Sequence, residues 1–240
     1  MEDIFARTEL LIGQEGLEVL QNSRVMVFGL GGVGSYAAEA LARAGVGNLV
    51  LIDCDCVAPS NINRQIHALL STLGKPKALL MAERTRQINP RLVVEARVER
   101  YTPGDGERFL SDTPDYVVDA IDDGQAKVDL LAGCVCRGIP VVSAMGAGNK
   151  LDPTAFRVAD IAETAVCPLA RVVRRRLRER GIHTGVKVVF STEPPLPSRG
   201  TAPDNGRTVP GSISFVPPVA GFILAGVVVR DLLARRGNNI

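Results

Sequence analysis

A glycine-rich turn between a short apolar run and an alanine-rich helical pattern constrains the fold of this chain most. Residues 24–28 (RVMVF) predict a buried strand, and the helical pattern covers 33–44, with GLGGVG between them in the spacing G-x-G-x-x-G. In this motif Gly29 permits a tight turn, Gly31 lets a phosphate approach the backbone, and Gly34 allows close packing of helix on strand. The helix N-terminus then offers unpaired N–H groups to an anion. The sequence therefore predicts a nucleotide site at the end of the first strand.

Apolar runs and helical patterns alternate along the first 145 residues, and after Met145 this rhythm changes. The alternation predicts an α/β fold, Rossmann-like, with a doubly wound and mainly parallel sheet. We expect a single domain, 1–240, in which a nucleotide-binding core (1–145) is followed by an extension of mixed strands and helices (146–240). The further predicted elements are strands at 48–52, 92–98, 115–119, 140–143, 156–160 and 186–190, and helices at 76–88, 123–136 and 168–180.

Composition narrows the class of protein. With 46% hydrophobic residues, 22% charged residues and a formal net charge of +2, the chain is typical of a globular protein and gives no global case for nucleic-acid binding. The acidic start lacks the pattern of a signal peptide, and the apolar stretch 215–229 is shorter than the roughly 20 residues of a membrane span. We therefore expect a cytoplasmic protein without membrane contact, and a buried C-terminal helix. Residues 193–212, rich in proline and glycine, predict a mobile or catalytic loop.

Polar residues that follow the second strand bear on the choice of nucleotide. Asp53 ends that strand, where a carboxylate can accept hydrogen bonds from ribose hydroxyls, and this alone favours an NAD-dependent oxidoreductase. Asn61, Arg64 and Lys77 follow, and together they concentrate positive charge near the same sheet edge. A triphosphate needs such cationic clamps, whereas a dinucleotide with only a pyrophosphate does not. ATP is therefore the better prediction.

A second acidic group follows the strand predicted at 115–119. Asp122 could hold Mg²⁺ across the phosphates, since magnesium prefers one or two carboxylates together with phosphate oxygens. Alternatively, Asp122 or Asp123 caps the next helix. The chemistry of these residues favours neither interpretation over the other.

Several motifs resemble those of the ubiquitin-activating-enzyme-like adenylyltransferases: GLGGVG, LIDCDCVAPSNINRQIHA, GKPKA, RQINP and VVDAID. The resemblance covers residues 7–145. It implies that Asp53 holds the ribose, that catalytic Arg64 and Lys77 contact the ATP phosphates, and that catalytic Asp122 holds Mg²⁺. It also implies a homodimer, in which Arg7 reaches the phosphates, in some members from the partner subunit. The nucleotide-binding set is then Gly29, Gly31, Gly34, Asp53, Asp55, Asn61, Arg64 and Lys77.

The second half resembles the tRNA threonylcarbamoyladenosine dehydratases, through GAGNKLDPTAF, VVFSTEPP and GSISFVPPVAG. That family adenylates the carboxylate of the modified adenosine 37 of tRNA, and AMP leaves as the threonylcarbamoyl group closes on itself. The partner implied is tRNA bearing threonylcarbamoyladenosine, with the extension facing RNA and supporting dimerisation. A sulfur-relay or cysteine-desulfurase-type protein is a further candidate partner, and the loop 146–152 is a candidate site for Na⁺ or K⁺.

Three other functions stay open. Adenylation of a ubiquitin-like sulfur carrier shares every N-terminal motif, but members of that group usually carry C-x-x-C pairs for zinc, and the five cysteines here form none, so no zinc is expected. A non-catalytic nucleotide-binding scaffold partner would be expected to lose the charged residues of the phosphate site, which are present. An NAD-dependent oxidoreductase is the third alternative. A thioester role for Cys167, at the start of the helix predicted at 168–180, is disfavoured because ring closure needs no protein nucleophile.

The helix predicted at 168–180 lies in the most basic stretch of the chain. Residues 165–190 hold seven basic side chains and a single acid, Glu179. Leu169, Val173 and Leu177 predict a buried stripe, and four arginines project away from it. Such a surface suits phosphate contacts, which dominate non-specific affinity for nucleic acids. We name these residues the basic ridge: Arg171, Arg174, Arg175 and Arg178.

Overall fold

A seven-stranded sheet runs through the protein, and the computed structural model describes residues 4–197 and 210–235. The strands lie in the order β3-β2-β1-β4-β5-β7-β6, all parallel except β6, which pairs antiparallel with β7. The strands are β1 (Arg24–Phe28), β2 (Asn48–Ile52), β3 (Val93–Arg97), β4 (Tyr116–Asp119), β5 (Val141–Ala144), β6 (Phe156–Asp160) and β7 (Lys187–Ser191). The helices are α1 (Ala6–Gln21), α2 (Gly34–Ala44), α3 (Lys77–Ile88), α4 (Gly106–Leu110), α5 (Gly124–Cys136), α6 (Pro168–Glu179) and α7 (Val216–Arg235).

This architecture confirms the predicted Rossmann-like fold. The connections β1-α2-β2-α3-β3 build the sheet outward on one side, and β4 then returns to the other side of β1. Ligands of doubly wound sheets bind where the strand order reverses, beyond the carboxyl ends of the strands. In this chain that place lies between β1 and β4, where the glycine-rich turn follows β1.

Side chains of the central strands alternate between two apolar clusters. In β1, Val25 and Val27 belong to the cluster under α1, α2, α3 and α7, whereas Met26 and Phe28 belong to the cluster under α4, α5 and α6. Both faces of the sheet are therefore buried, as the continuous apolar runs predict. Within the described residues, α7 is the helix long and apolar enough to cross a membrane, but 61% of its apolar window is buried against the rest of the chain.

Helices α1 and α4 are absent from the sequence prediction. Gly13 and Gly16 interrupt the apolar pattern of α1, and Gly13 kinks the helix with a φ of 72°. Helix α4 spans five residues, too few to show a helical period. Every predicted strand and helix is present. The ends differ from the predicted ones by at most one or two residues, except that α7 continues to Arg235.

Candidate active site at the carboxyl edge of the sheet

The glycine-rich turn has two glycines that the fold requires and one beside open space. A Cβ on Gly29, whose φ is +83°, would lie 2.6 Å from the Ala120 carbonyl oxygen, and a Cβ on Gly34 would lie 1.8 Å from the carbonyl oxygen of Gly29. A Cβ on Gly31 would meet nothing nearer than the Gln65 side-chain nitrogen, at 3.8 Å. The middle glycine therefore leaves room beside the backbone, which is the space that a phosphate needs.

Asp53 lies directly beside this turn. Its Oδ2 accepts a hydrogen bond of 2.6 Å from the Leu30 N–H, and its Oδ1 accepts one of 2.8 Å from the Asp55 N–H. Burial raises the pKa of Asp53, and the two backbone hydrogen bonds oppose that rise. Each carboxylate oxygen has further lone pairs, so the group can still accept from ribose hydroxyls.

Asp55 and Lys77 hold each other. The Lys77 Nζ donates to Asp55 Oδ2 at 3.0 Å, and the Lys77 N–H donates to the Asp55 carbonyl oxygen at 3.0 Å. Burial raises the pKa of Asp55, but the hydrogen bond and the charge of Lys77 outweigh it, so this pKa lies below its usual value. Lys77 is only 5% exposed, and its ammonium is thereby fixed at the edge of the site. The Asp55 carboxylate is occupied by this lysine.

Arg64 brings a positive charge to the glycine-rich turn. A Cβ on Gly32 would lie 3.2 Å from Arg64 Cγ, so the absence of a side chain there lets the arginine approach. Its Nη1 donates to the Ser60 carbonyl oxygen and to Asn63 Oδ1, and no carboxylate pairs with it within residues 4–197 and 210–235. Burial lowers the pKa of Arg64. A half-buried guanidinium without an acid favours binding of an anion.

Asn61 stabilises the turn that precedes Arg64. Its side chain is buried, and its Oδ1 accepts a hydrogen bond of 3.0 Å from the Ala58 N–H. That bond closes the turn that leads to Arg64. The Asn61 amide nitrogen makes no hydrogen bond in the described part of the chain, so it is free to donate to a ligand.

The turn after β4 carries two acids, Asp122 and Asp123, and their contacts show which of them caps the next helix. Asp123 caps α5, because its Oδ1 accepts from the N–H groups of Gln125 and Ala126, each at 2.8 Å. Asp122 is exposed and forms no hydrogen bond or ion pair with any residue that the structure describes. The helix cap is therefore Asp123. The Asp122 carboxylate, at the carboxyl edge of β4, remains available as a ligand for Mg²⁺.

Arg7 lies at the opposite edge of the sheet in its own chain. Phe5 packs near Gly45, which ends α2 below the amino end of β2, and Arg91 lies over its ring just before β3 begins. The two-residue step from Phe5 to Arg7 covers at most about 7 Å of backbone. The amino and carboxyl ends of a five-residue strand such as β2 lie roughly 16 Å apart. The exposed Arg7 is thus separated from the glycine-rich turn of the same chain.

The basic ridge lies on α6, and one of its four arginines is engaged in hydrogen bonds within the protein. Arg171, Arg175 and Arg178 are exposed, but Arg174 is half-buried and donates to the carbonyl oxygen and the hydroxyl of Thr164. The expectation that all four project away from the stripe was therefore wrong for Arg174. The stripe itself is formed by Ala170, Val173 and Leu177, at the spacing i, i+3 and i+7 of one helix face, with Leu169 only partly buried at the border of that face.

Helix α6 begins beside the loop that follows β5. A Cβ on Gly146 would lie 3.7 Å from Cys167 Sγ, and Cys167 is buried at the N-cap of α6. In the same loop, the Lys150 Nζ donates to the Glu193 carbonyl oxygen, and the Gly211 N–H donates to Asn149 Oδ1. Of the predicted loop 193–212, residues 198–209 lie outside the described residues.

Three further polar side chains near the site are buried. Lys127 is fully buried, and Gln65 and His67 are 6% and 4% exposed. The Gln65 Oε1 and both ring nitrogens of His67 have no hydrogen-bond partner within residues 4–197 and 210–235. Gln65 and His67 lie within the quoted motif LIDCDCVAPSNINRQIHA. Lys127 stands in an ordinary helical pattern, so the sequence does not mark it, and only its long-range contacts reveal it. Among the described residues, one group of three possible metal ligands lies close together, and it consists of Asp53, Cys54 and Asp55.

Known proteins resemble this chain over most of its length. The chain is 49% identical to the tRNA threonylcarbamoyladenosine dehydratase of Bacillus subtilis, covering 95% of this chain and 94% of that protein. It is 44% identical to the Escherichia coli enzyme of the same name over 79% of this chain and 73% of that protein. A crystal structure of E. coli tRNA N6-threonylcarbamoyladenosine dehydratase in complex with ATP matches with a TM-score of 0.89 at 38% identity, covering 98% of this chain and 96% of that one. The ThiF family model matches residues 5–239, and the chain belongs to the ThiF family.

Proposed function

We propose that this protein catalyses the ATP-dependent dehydration of N6-threonylcarbamoyladenosine at position 37 of tRNA. The observation that carries the proposal is the 49% identity to the B. subtilis dehydratase, which extends over both the nucleotide-binding core and the C-terminal extension. The crystal structure of the E. coli relative with ATP supports ATP as the nucleotide. A tRNA substrate favours a cytoplasmic enzyme.

The chemistry assigned to the site follows from what a carboxylate needs in order to react. It cannot lose oxide, so attack of its oxygen on the α-phosphate of ATP forms an acyl-adenylate and releases pyrophosphate. The substrate's own carbamoyl group then attacks the acyl carbon, and AMP leaves with the oxygen that came from the carboxylate. The net change in the tRNA is the loss of one water, and no protein nucleophile takes part.

The residues of the site then have separate tasks. Asp53 holds the ribose, the open backbone at Gly31 faces the phosphates, and Arg64 and Lys77 neutralise charge that develops at the α-phosphate and on pyrophosphate. Positioning and charge compensation are the main contributions that such a reaction needs from a protein. Asp55 keeps the Lys77 ammonium in place by the 3.0 Å hydrogen bond.

Asp122 is the residue that would hold Mg²⁺. Its uncommitted carboxylate supports this role, while Asp123 serves as the cap of α5. When bound, Mg²⁺ would neutralise phosphate oxygens and favour the departure of pyrophosphate. A monovalent cation in the loop 146–152 has no equivalent support, because the Lys150 ammonium already lies there.

We also propose that the enzyme is a homodimer in which Arg7 enters the site of the partner subunit. Arg7 is distant from its own glycine-rich turn, and leucines near both places are exposed: Leu10 (88%) and Leu11 (78%) on α1, and Leu70 (80%) after the Arg64 segment. Mixing Arg7→Ala with Arg64→Ala subunits should restore activity, because one site of each mixed dimer is intact. Failure to restore activity in verified mixed dimers would remove Arg7 from the partner's site.

The tRNA partner is assigned to the extension, because the basic ridge lies on α6 and this helix begins beside Gly146 at the carboxyl edge. A tRNA held along α6 could present its modified base to the nucleotide site. The alternative substrate, the C-terminal carboxylate of a ubiquitin-like sulfur carrier, would not require this surface.

ATP–pyrophosphate exchange separates the two substrates. We expect exchange when the protein is given ATP, Mg²⁺ and tRNA bearing threonylcarbamoyladenosine, and none with the same tRNA lacking the modification. Exchange that appears only with a ubiquitin-like carrier protein would contradict the dehydratase assignment.

A further inference from the structure

A buried ion pair lies directly under the proposed site. Lys127 on α5 and Asp119 at the end of β4 are both completely inaccessible to solvent, with Lys127 Nζ at 2.7 Å from Asp119 Oδ2. Lys127 also donates to Ser143 Oγ at 3.2 Å and to the Ala144 carbonyl oxygen at 3.0 Å. The Ser143 hydroxyl donates to Asp119 Oδ2 at 2.6 Å. We call these three side chains, Asp119, Lys127 and Ser143, the buried triad.

Stability alone does not account for the buried triad. Taking two charges out of water costs several kcal/mol per ion, and replacement of a buried pair by apolar residues of similar volume is often neutral or stabilising. The surrounding cluster contains Leu130, Leu131 and Val141, so apolar side chains would suit the place. The hydrogen-bond pattern of the triad instead connects particular backbone segments.

The triad joins the two turns that border the proposed site on this side. The second oxygen of Asp119, Oδ1, accepts a hydrogen bond of 3.0 Å from the Ile121 N–H, and this bond shapes the turn that carries Asp122. Lys127 binds the carbonyl oxygen of Ala144, the last residue of β5, directly before the loop that contains Gly146. The turn that carries the proposed Mg²⁺ ligand is thus tied to the loop that leads toward α6.

We infer that the buried triad is a positioning device that fixes the Asp122 carboxylate relative to the loop after β5. This inference rests on the proposed function, because it takes Asp122 as the Mg²⁺ ligand. Residues that orient a metal ligand from behind typically change metal affinity or activity by about 10–100-fold when they are altered. The triad residues lie below the ligand and do not reach the phosphates themselves, so their effect falls on Mg²⁺ and on turnover.

The variant that tests the inference is the double substitution Asp119→Asn with Lys127→Met. It removes both charges together, and the Asn side-chain oxygen can still accept from the Ile121 N–H. The tie to Ala144 is lost, since methionine cannot donate a hydrogen bond. Ser143→Ala is the milder variant, because it deletes one hydroxyl and leaves the ion pair in place.

Two measurements test the variants. The first is the affinity for Mn²⁺ in the presence of a non-hydrolysable ATP analogue, and the second is the Mg²⁺ dependence of ATP–pyrophosphate exchange. In the double variant we expect the Mn²⁺ affinity to fall by on the order of tenfold and kcat to fall while KM for ATP keeps its wild-type value. Ser143→Ala should show a smaller change in the same direction.

Asp122→Ala distinguishes the failure of this inference from the failure of the proposed function. If Asp122→Ala weakens Mn²⁺ binding but a folded double variant and Ser143→Ala both bind Mn²⁺ like the wild type, the positioning role is refuted. If Asp122→Ala itself binds Mn²⁺ normally, the proposed metal ligand is wrong, and the inference falls with it. If the double variant does not fold, Ser143→Ala decides, and unchanged Mn²⁺ affinity in that variant overturns the inference.

Discussion

Replacement of His67 by leucine should remove a defined part of the pH dependence of stability. His67 is 4% exposed, neither ring nitrogen has a hydrogen-bond partner in the described chain, and the charges of Lys77 and Arg84 lie nearby. Burial, and secondarily these two charges, lower its pKa from 6.5 to about 4. The folded protein therefore keeps the imidazole neutral over a pH range in which the unfolded chain binds a proton.

The sign and the magnitude follow from proton linkage. Above pH 6.5 both states are neutral at this position, and the stability is fully present. As the pH falls from 6.5 toward 4, the unfolded state takes up the proton first and the folded state is penalised. Between pH 8 and pH 5 this single group should cost about 2 kcal/mol in the free energy of unfolding.

The measurement is urea unfolding followed by circular dichroism, since the chain has no tryptophan to serve as a fluorescent probe. The loss of unfolding free energy from pH 8 to pH 5 should be smaller in His67→Leu than in the wild type by about 2 kcal/mol. His183→Leu, which changes an exposed histidine, should follow the wild type. If His67→Leu and the wild type lose the same free energy, the imidazole is not held neutral by burial.

Three further predictions concern the site and the tRNA surface. Asp122→Ala should abolish ATP–pyrophosphate exchange in a folded protein, whereas Asp123→Ala should cost about 1 kcal/mol of stability through the lost cap and retain exchange; normal exchange in Asp122→Ala would contradict its metal role. Gly31→Ala should keep the wild-type melting temperature but lose ATP binding by calorimetry, while Gly226→Ala, also beside open space, should bind ATP normally; wild-type affinity in Gly31→Ala would show that no phosphate approaches there. Changing the three exposed arginines of the basic ridge to alanine should weaken tRNA binding and reduce the slope of log affinity against log salt by about 2, with Arg230→Ala as the control; an unchanged slope would remove the ridge from tRNA binding.

The fold was predictable because its signals are local. The apolar runs at β1 and β2, the glycine-rich turn and the helical period of α2 each depend on a few neighbouring residues, and the βαβ rule then fixes the sheet. Helix α1 was not predictable in the same way, since Gly13 breaks its pattern and its packing against α7 is a long-range contact.

The site was predictable in its residue types but not in its detailed contacts. The sequence places Asp53, Arg64 and Lys77 near one sheet edge. Only the structure shows that Asp55 holds Lys77 and that Arg64 has no carboxylate partner among the described residues. Likewise, no local pattern distinguishes the cap Asp123 from its neighbour. The buried triad joins residues up to 24 positions apart, and such pairings are specified by the tertiary fold.

The central claim is tested most directly by the nucleoside composition of tRNA after incubation with the pure protein. The substrate is tRNA bearing threonylcarbamoyladenosine, given ATP and Mg²⁺, then digested and analysed by mass spectrometry. The account predicts that this nucleoside loses the mass of one water, only when ATP is present, and that AMP and pyrophosphate are released. An unchanged nucleoside in the presence of ATP, Mg²⁺ and folded, ATP-binding protein would contradict the account.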